Sequence, residues 1–275
     1  MSDILSEAGA SVDRVFSDQP AATRRRFVAG VAGVFGSMGL LGAADAHARG
    51  ARGATHQRGH VGPNTPANVL AVAATAEALA TIINTVGAER VALDPVTKAN
   101  IQAAARHELI HYQVLTSAAV GGKALTTRFW IPDVFFSTQP NLLTRVVVGD
   151  TVFVNAYLLG TTVFARPNGG ASPRLARIAS EFMAVESVHR ALALQSLGRL
   201  GNDRAFAKFA QREEVQGLPI TGAPGFYDIN AAVTILKGAG IGFGEQGTAP
   251  GAFYEFADVS QRTPDPAGVN IRTPS

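Results

Sequence analysis

Two E-x-x-H pairs constrain this chain more than any other feature: ELIH at 108–111 and ESVH at 186–189. Each lies in a stretch with helical periodicity, and residues three apart on a helix share a face. In the first stretch the inward seam reads Ile101, Ala104, Glu108, His111, Leu115. In the second it reads Ile178, Phe182, Val185, His189, Leu192, with Glu186 on the same side. Both pairs are therefore predicted to point into a core.

Two more helical stretches repeat the anomaly. One carries Leu70, Ala73, Glu77 and Ala80 on its seam, and Glu77 is the sole charged residue between Val69 and Ile83. Another reads Asp150, Val154, Tyr157, Thr161, Phe164. A carboxylate buried without a partner costs several kcal/mol, so such a group is paired or protonated. Four carboxylates and two imidazoles point to one core, and no lysine shares their seams. One or two dications answer this, with iron, manganese or zinc suited to the donor set. Bridging carboxylates can hold two ions, four negative charges then offsetting four positive. The alternative is a metal-free polar cluster, with Glu77 bonded to His111 or His189.

The 275 residues suffice for one sizeable core; 47% are hydrophobic and 16% charged. The absence of cysteine excludes disulfides, thiolate metal sites and a cysteine nucleophile. A net charge of +3 with scattered arginines gives no nucleic-acid footprint. There is no G-x-S-x-G for a serine hydrolase. Thr65 and Pro66 open a helix expected to stop at Gly87. Asp94-Pro95 opens a second, to about Ala119. Residues 120–147 lack a period and read as a long connection with short strands. A third helix is predicted from Thr144 or Asp150 to Ala165, and a fourth from Ser172-Pro173 to Leu197. Short helices are expected at 202–213 and 228–238, a loop at GAGIGFGEQG, and an irregular Pro-rich tail at 260–275. Trp130 and Phe135-Phe136 are expected to cover one end of the helices. Tyr112 and Tyr157 are candidates for hydrogen bonds near a metal or for packing. His107 reads as surface or as a neighbour of the site, and Glu181 as solvated or paired with Arg177.

Glu77, ELIH at 108–111, DTVFVNAY at 150–157 and ESVH at 186–189 together resemble the ferritin-like family that includes desiccation-related proteins. The likeness covers about residues 65–200. It implies an all-α fold, a ferritin-like four-helix bundle with a long crossover between helices two and three. It implies metal ligands Glu77, Glu108, His111, Asp150, Glu186 and His189, and a di-iron or manganese centre. The third-helix position usually holds Glu; Asp150 is one methylene shorter, which puts its reach in doubt. Two functions follow as expectations: a di-metal oxidoreductase or metal-handling protein, and a metal-free structural or stress-protective scaffold of desiccation type. An envelope binding module built on 201–275 is a third.

Residues 1–48 resemble a twin-arginine (Tat) signal peptide. Arg24-Arg25-Arg26-Phe27 precedes a glycine-rich apolar run, and Ala46-His47-Ala48 is a small-x-small cleavage pattern. An uncleaved anchor and an ordinary helix are the alternatives. The expected organisation is therefore a signal at 1–48, a flexible linker at 49–64 containing solvated His56 and His60, a bundle at 65–200, and a C-terminal extension at 201–275. The location implied is periplasmic or extracellular, with no stable membrane insertion after cleavage. Metal ions are the expected partners, nucleic acid is not, and a homodimer is compatible with the chain.

Overall fold

The computed structural model describes residues 64–166, 172–203, 205 and 225–265. The predicted signal, His56, His60, nearly all of the linker and of the 202–213 helix, and the end of the tail lie outside these residues. Four long helices dominate: α1 (Pro66–Arg90), α2 (Pro95–Thr116), α3 (Gln139–Phe164) and α4 (Pro173–Ser196). All four carry proline in the first turn, where its missing N–H costs nothing. Thr65 accepts the Asn68 N–H at 3.2 Å to cap α1, Asp94 accepts those of Val96 and Thr97 on α2, and Thr138 accepts that of Asn141 on α3.

Three boundaries differ from expectation. Helix α1 does not stop at Gly87 but runs on to Arg90. That glycine serves close packing: a Cβ there would stand 2.7 Å from Leu142 Cδ2 on α3. Helix α3 begins at Gln139, because Pro140 occupies its first turn rather than breaking it. Helix α2 ends at Thr116, short of Ala119.

Helix α1 packs most extensively on α2, and α3 on α4; the pairs meet through α1 against α3 and α2 against α4. Helices α2 and α3, although consecutive, are therefore not close neighbours, and the chain must cross from one to the other. Residues 117–138 make that crossing and carry β1 (Arg128–Pro132) followed by a short 3-10 turn (Asp133–Phe136). One end of the four-helix core is closed by Ala88, Val91, Ile101, Leu142, Leu143, Val146 and Ala193.

The chain is mostly helical, with a small sheet. After α4 it adds α5 (Asn230–Gly238), β2 (Gly242–Phe243), β3 (Gly251–Glu255) and α6 (Phe256–Ser260). Strand β1 is the middle strand, antiparallel to both: Phe129 faces Phe243 on one side and Tyr254 on the other. The segment GAGIGFGEQG is thus not all loop. The elements around the sheet pack on the long helices: the 3-10 turn and α6 on α1, and α5 on α3. Tyr254 accepts from Arg90 at 2.7 Å, and Arg262 donates to Glu89 at 2.8 Å. Asn64, buried at the chain's entry to α1, donates to the Tyr227 carbonyl and accepts the Ile229 N–H.

Helices α1 and α3 are long and apolar enough to cross a membrane by composition. In the structure their apolar surface is taken up by packing. Helix α1 is covered on almost every side, which is why it shows no polar face.

Gly251 faces Pro132 in the ladder, and a Cβ on it would stand 2.4 Å from the Ile131 carbonyl oxygen. The oxygen it meets is backbone and has no rotamer by which to move aside. Gly251→Val is expected to cost about 2–3 kcal/mol in urea denaturation while the far-ultraviolet helical signal persists.

Candidate metal centre

The four seams meet halfway along the helices. Glu77 comes from α1, Glu108 and His111 from α2, Asp150 from α3, and Glu186 and His189 from α4. All six are buried; Glu77, Glu108 and Glu186 are 0% exposed. The structure thus brings together every ligand candidate taken from the sequence, Asp150 included.

The donors form two groups. Glu77, Glu108, His111 and Glu186 make one; Glu108, Asp150, Glu186 and His189 make the other. Within each, the ligand atoms lie within 4.8 Å of one another. Oxygen and nitrogen ligands at about 2.0–2.2 Å from one ion span about that distance across it. Glu108 and Glu186 belong to both groups. Each E-x-x-H therefore supplies a histidine to one side and a carboxylate to the middle, while Glu77 and Asp150 close the two ends.

The contacts show what the arrangement needs. His111 Nδ1 faces Glu186 Oε1 at 3.1 Å, Glu77 Oε2 at 3.4 Å and Glu108 Oε2 at 3.4 Å. His189 Nδ1 faces Glu108 Oε1 at 3.1 Å and Glu186 Oε2 at 3.5 Å. Three carboxylates converge on one ring nitrogen, which carries at most one proton. Both Nδ1 atoms, both oxygens of Glu108 and of Glu186, Glu77 Oε2 and Asp150 Oδ2 are buried without a well-formed hydrogen bond among the described residues. So many unmet donors and acceptors at one point fit a cation held among them.

Burial works against every charge here, and the neighbours decide the outcome. Desolvation pushes Glu77 well above the usual carboxylate range, although His111 opposes it. Desolvation and the nearby Glu186 do the same to Asp150. Glu108 goes the other way: burial would raise it, but His189 and His111 overcome that and hold it well below the usual range. Burial would lower both histidines, yet the carboxylates lift them well above the ordinary imidazole value, Glu77 leading for His111 and Glu108 for His189. Without metal, the cluster stores protons.

A surrounding set of residues holds the candidate ligands. Tyr157, about two turns beyond Asp150 on α3, donates a hydrogen bond to Glu77 Oε1. Its phenol is pushed well up by burial and by the Glu77 charge. Phe182 stacks on His111 with ring centroids 3.9 Å apart, and meets Tyr157 edge-on. His107 Nδ1 lies 3.0 Å from His189 Nε2, the rings parallel. That places His107 behind the site, and burial followed by His189 lowers its pKa. Arg190 carries positive charge near Asp150 and is tied to Thr151 Oγ1 at 2.9 Å and the Asp203 carbonyl at 3.0 Å. In the sequence the one signal for this arginine is its place beside His189. Tyr112 instead packs against Phe256 of α6, and Glu181 is exposed.

The chain was compared with family models, with curated proteins and with solved structures, and none matches it.

Proposed function

We propose that the chain is a ferritin-like di-metal carboxylate protein, holding two iron or manganese ions between its four long helices. The observation that carries this reading is that two four-ligand groups share Glu108 and Glu186. Glu from two helices with E-x-x-H from two others is the ligand plan of such bundles. The helix adjacencies, with the crossing between α2 and α3, support the same reading. Iron and zinc share the donors, but four carboxylates to two imidazoles favour the harder ions.

Such ions, when bound, would supply electrons to dioxygen or peroxide. The chain's own residues do the rest. Tyr157 fixes Glu77 by occupying Oε1, so that Oε2 points inward. His107 fixes the ring of His189, and Phe182 fixes that of His111. Phe182, itself buried, covers the ring of His111. In the wider reading, the N-terminal signal exports the folded protein to the periplasm or beyond.

The test is metal content, by plasma mass spectrometry, of protein purified without chelator. About two equivalents are expected, lost in the Glu108→Ala, His111→Ala double variant. A well-folded sample offered both iron and manganese that holds neither would sink the proposal; the cluster would then be a polar core on a metal-free scaffold. Tyr157→Phe is expected to weaken metal affinity about 10–100-fold, as loss of a ligand's supporting hydrogen bond does. Competition with a coloured chelator measures it.

A further inference from the structure

We propose that a cavity between α1 and α3 admits a small neutral hydroxylic molecule, of the size of methanol or hydrogen peroxide, to the Asp150 end of the centre, with Asn84 accepting its hydrogen bond. The inference rests on the di-metal reading for its purpose, but the binding site is built from other residues. The cavity has a volume of about 30 Å3. A water needs about 10–15 Å3, so a guest of two heavy atoms fits and a larger organic molecule does not. Leu79, Phe135, Phe153 and Leu236, all buried, make its inner walls apolar. Ile83, Val148, Gly149 and Ala239 also line it and are half-buried, so the cavity leads from the outside of the helices inward. Of the six candidate ligands it reaches Asp150 alone.

The polar groups on the wall decide what the guest is. Asn84 is 3% exposed, and its Oδ1 has no hydrogen-bond partner among the described residues. Asp150 Oδ2 is unmet as well, but Asp150 belongs to the second ligand group. Both unmet atoms are acceptors, so they repel an anion and call for a donor on the guest. A dication would need about four ligand atoms, more than this wall offers. A neutral O–H satisfies Asn84 without burying a charge. Dioxygen has the right size but no donor. Arg145 also borders the cavity; its guanidinium is already engaged, 5.3 Å from the ring of Phe135 and in a further interaction, and a hydroxylic guest does not call on it. Gly149 is an independent sign of the same opening. Glycine is the poorest helix former after proline, yet it stands inside α3 beside Asp150. No close contact requires it, since a Cβ there would meet nothing within 4 Å. What the missing side chain leaves is open space at the cavity wall.

The experiment titrates methanol into the full chain in chelator-stripped, zinc-loaded and manganese-loaded form. Backbone amide shifts are followed in the first two and the linewidth of the methanol methyl signal in the third. Saturable shifts are expected at Asn84, Gly149 and Asp150, with a Kd of about 10 mM, near the tightest a two-atom ligand reaches. Fluoromethane, equal in size but without an O–H, is expected to bind about tenfold more weakly. Asn84→Leu should weaken methanol about tenfold, and Gly149→Leu, whose side chain enters the open space, at least as much. Manganese is expected to broaden the methyl signal with wild type and with neither variant. Gly149→Leu puts a better helix former where nothing clashes, so it carries the test if Asn84→Leu fails to fold. No saturable shifts in wild type, equal methanol binding by wild type and either folded variant, or equal binding of methanol and fluoromethane overturns the proposal. So does binding without broadening by protein that holds manganese. Metal is assayed in the same samples. Metal without methanol binding refutes this site alone, and methanol binding by protein that never takes metal refutes the di-metal reading alone.

Discussion

Glu186→Gln is expected to drop bound metal from about two equivalents per chain to near none, whereas Glu77→Gln leaves about one. The substitutions are chemically identical and both positions are fully buried. They differ in membership: Glu186 belongs to both ligand groups and Glu77 to one. Losing a supporting residue already costs about 10–100-fold in affinity, and losing a ligand costs at least as much. Glutamine keeps the volume, so little repacking competes with the reading. Metal content of both variants, prepared side by side, checks this. Equal losses would mean that Glu186 does not bridge, and the two-group description would fall.

Metal-free protein is expected to lose stability as pH rises, and metal-loaded protein is not. Stability falls with pH wherever the native state holds more protons than the unfolded chain. Glu77, Asp150, His111 and His189 all have folded values raised above their ordinary ones. Each contributes stability that is complete below its unfolded pKa and is lost as pH climbs to its folded one. The decline therefore begins near the ordinary carboxylate value of about 4 for Glu77 and Asp150, and near about 6.5 for the histidines. Glu108 acts in reverse: its contribution is present above the ordinary carboxylate range and is lost as pH falls toward its depressed value. It shapes the acid side and leaves the neutral range to the other four. Ions that replace those protons reverse the trend, since loading releases protons and grows more favourable with pH. At a free metal concentration about 1,000 times Kd, each site adds about 4 kcal/mol. Urea denaturation at about pH 5 and about pH 8, with chelator and with manganese, gives the comparison. Chelated protein that gains stability between those two values would contradict the proton-loaded cluster.

The site was legible in the sequence because carboxylates are so costly in an apolar helix. Glu77 stands alone among fifteen residues of otherwise uncharged chain, and the E-x-x-H spacing puts both donors of a pair on one face. What spacing cannot show is reach across helices. Which carboxylates are shared depends on side-chain lengths and helix separation, so the joint membership of Glu108 and Glu186 emerged from the structure, as did the place of the shorter Asp150. Tyr157 was open for a related reason, since a buried phenol can pack or donate from the same seam position. Helix ends are hard to place from sequence where one residue type has two uses. Gly87 lets α3 approach and Pro140 starts a helix, but both also punctuate. The sheet was largely invisible because β2 is two residues long and GAFYE at 251–255 has no apolar alternation; its pairing comes from β1, far away in the chain.

That pairing sets an order of assembly. Strand β1 ends at Pro132 and its longer partner begins at Gly251. During synthesis the middle strand emerges on the order of ten seconds before the residues that flank it on either edge. All six ligand residues have also been made by then, since the last of them is His189. The helices can therefore gather around their charged interior while the flank of α1 and α3 still lacks its cover. On the nascent chain, closing that flank waits for residues 225–265. Truncations from the C-terminus are thus expected to strip the cladding and spare the six candidate ligands.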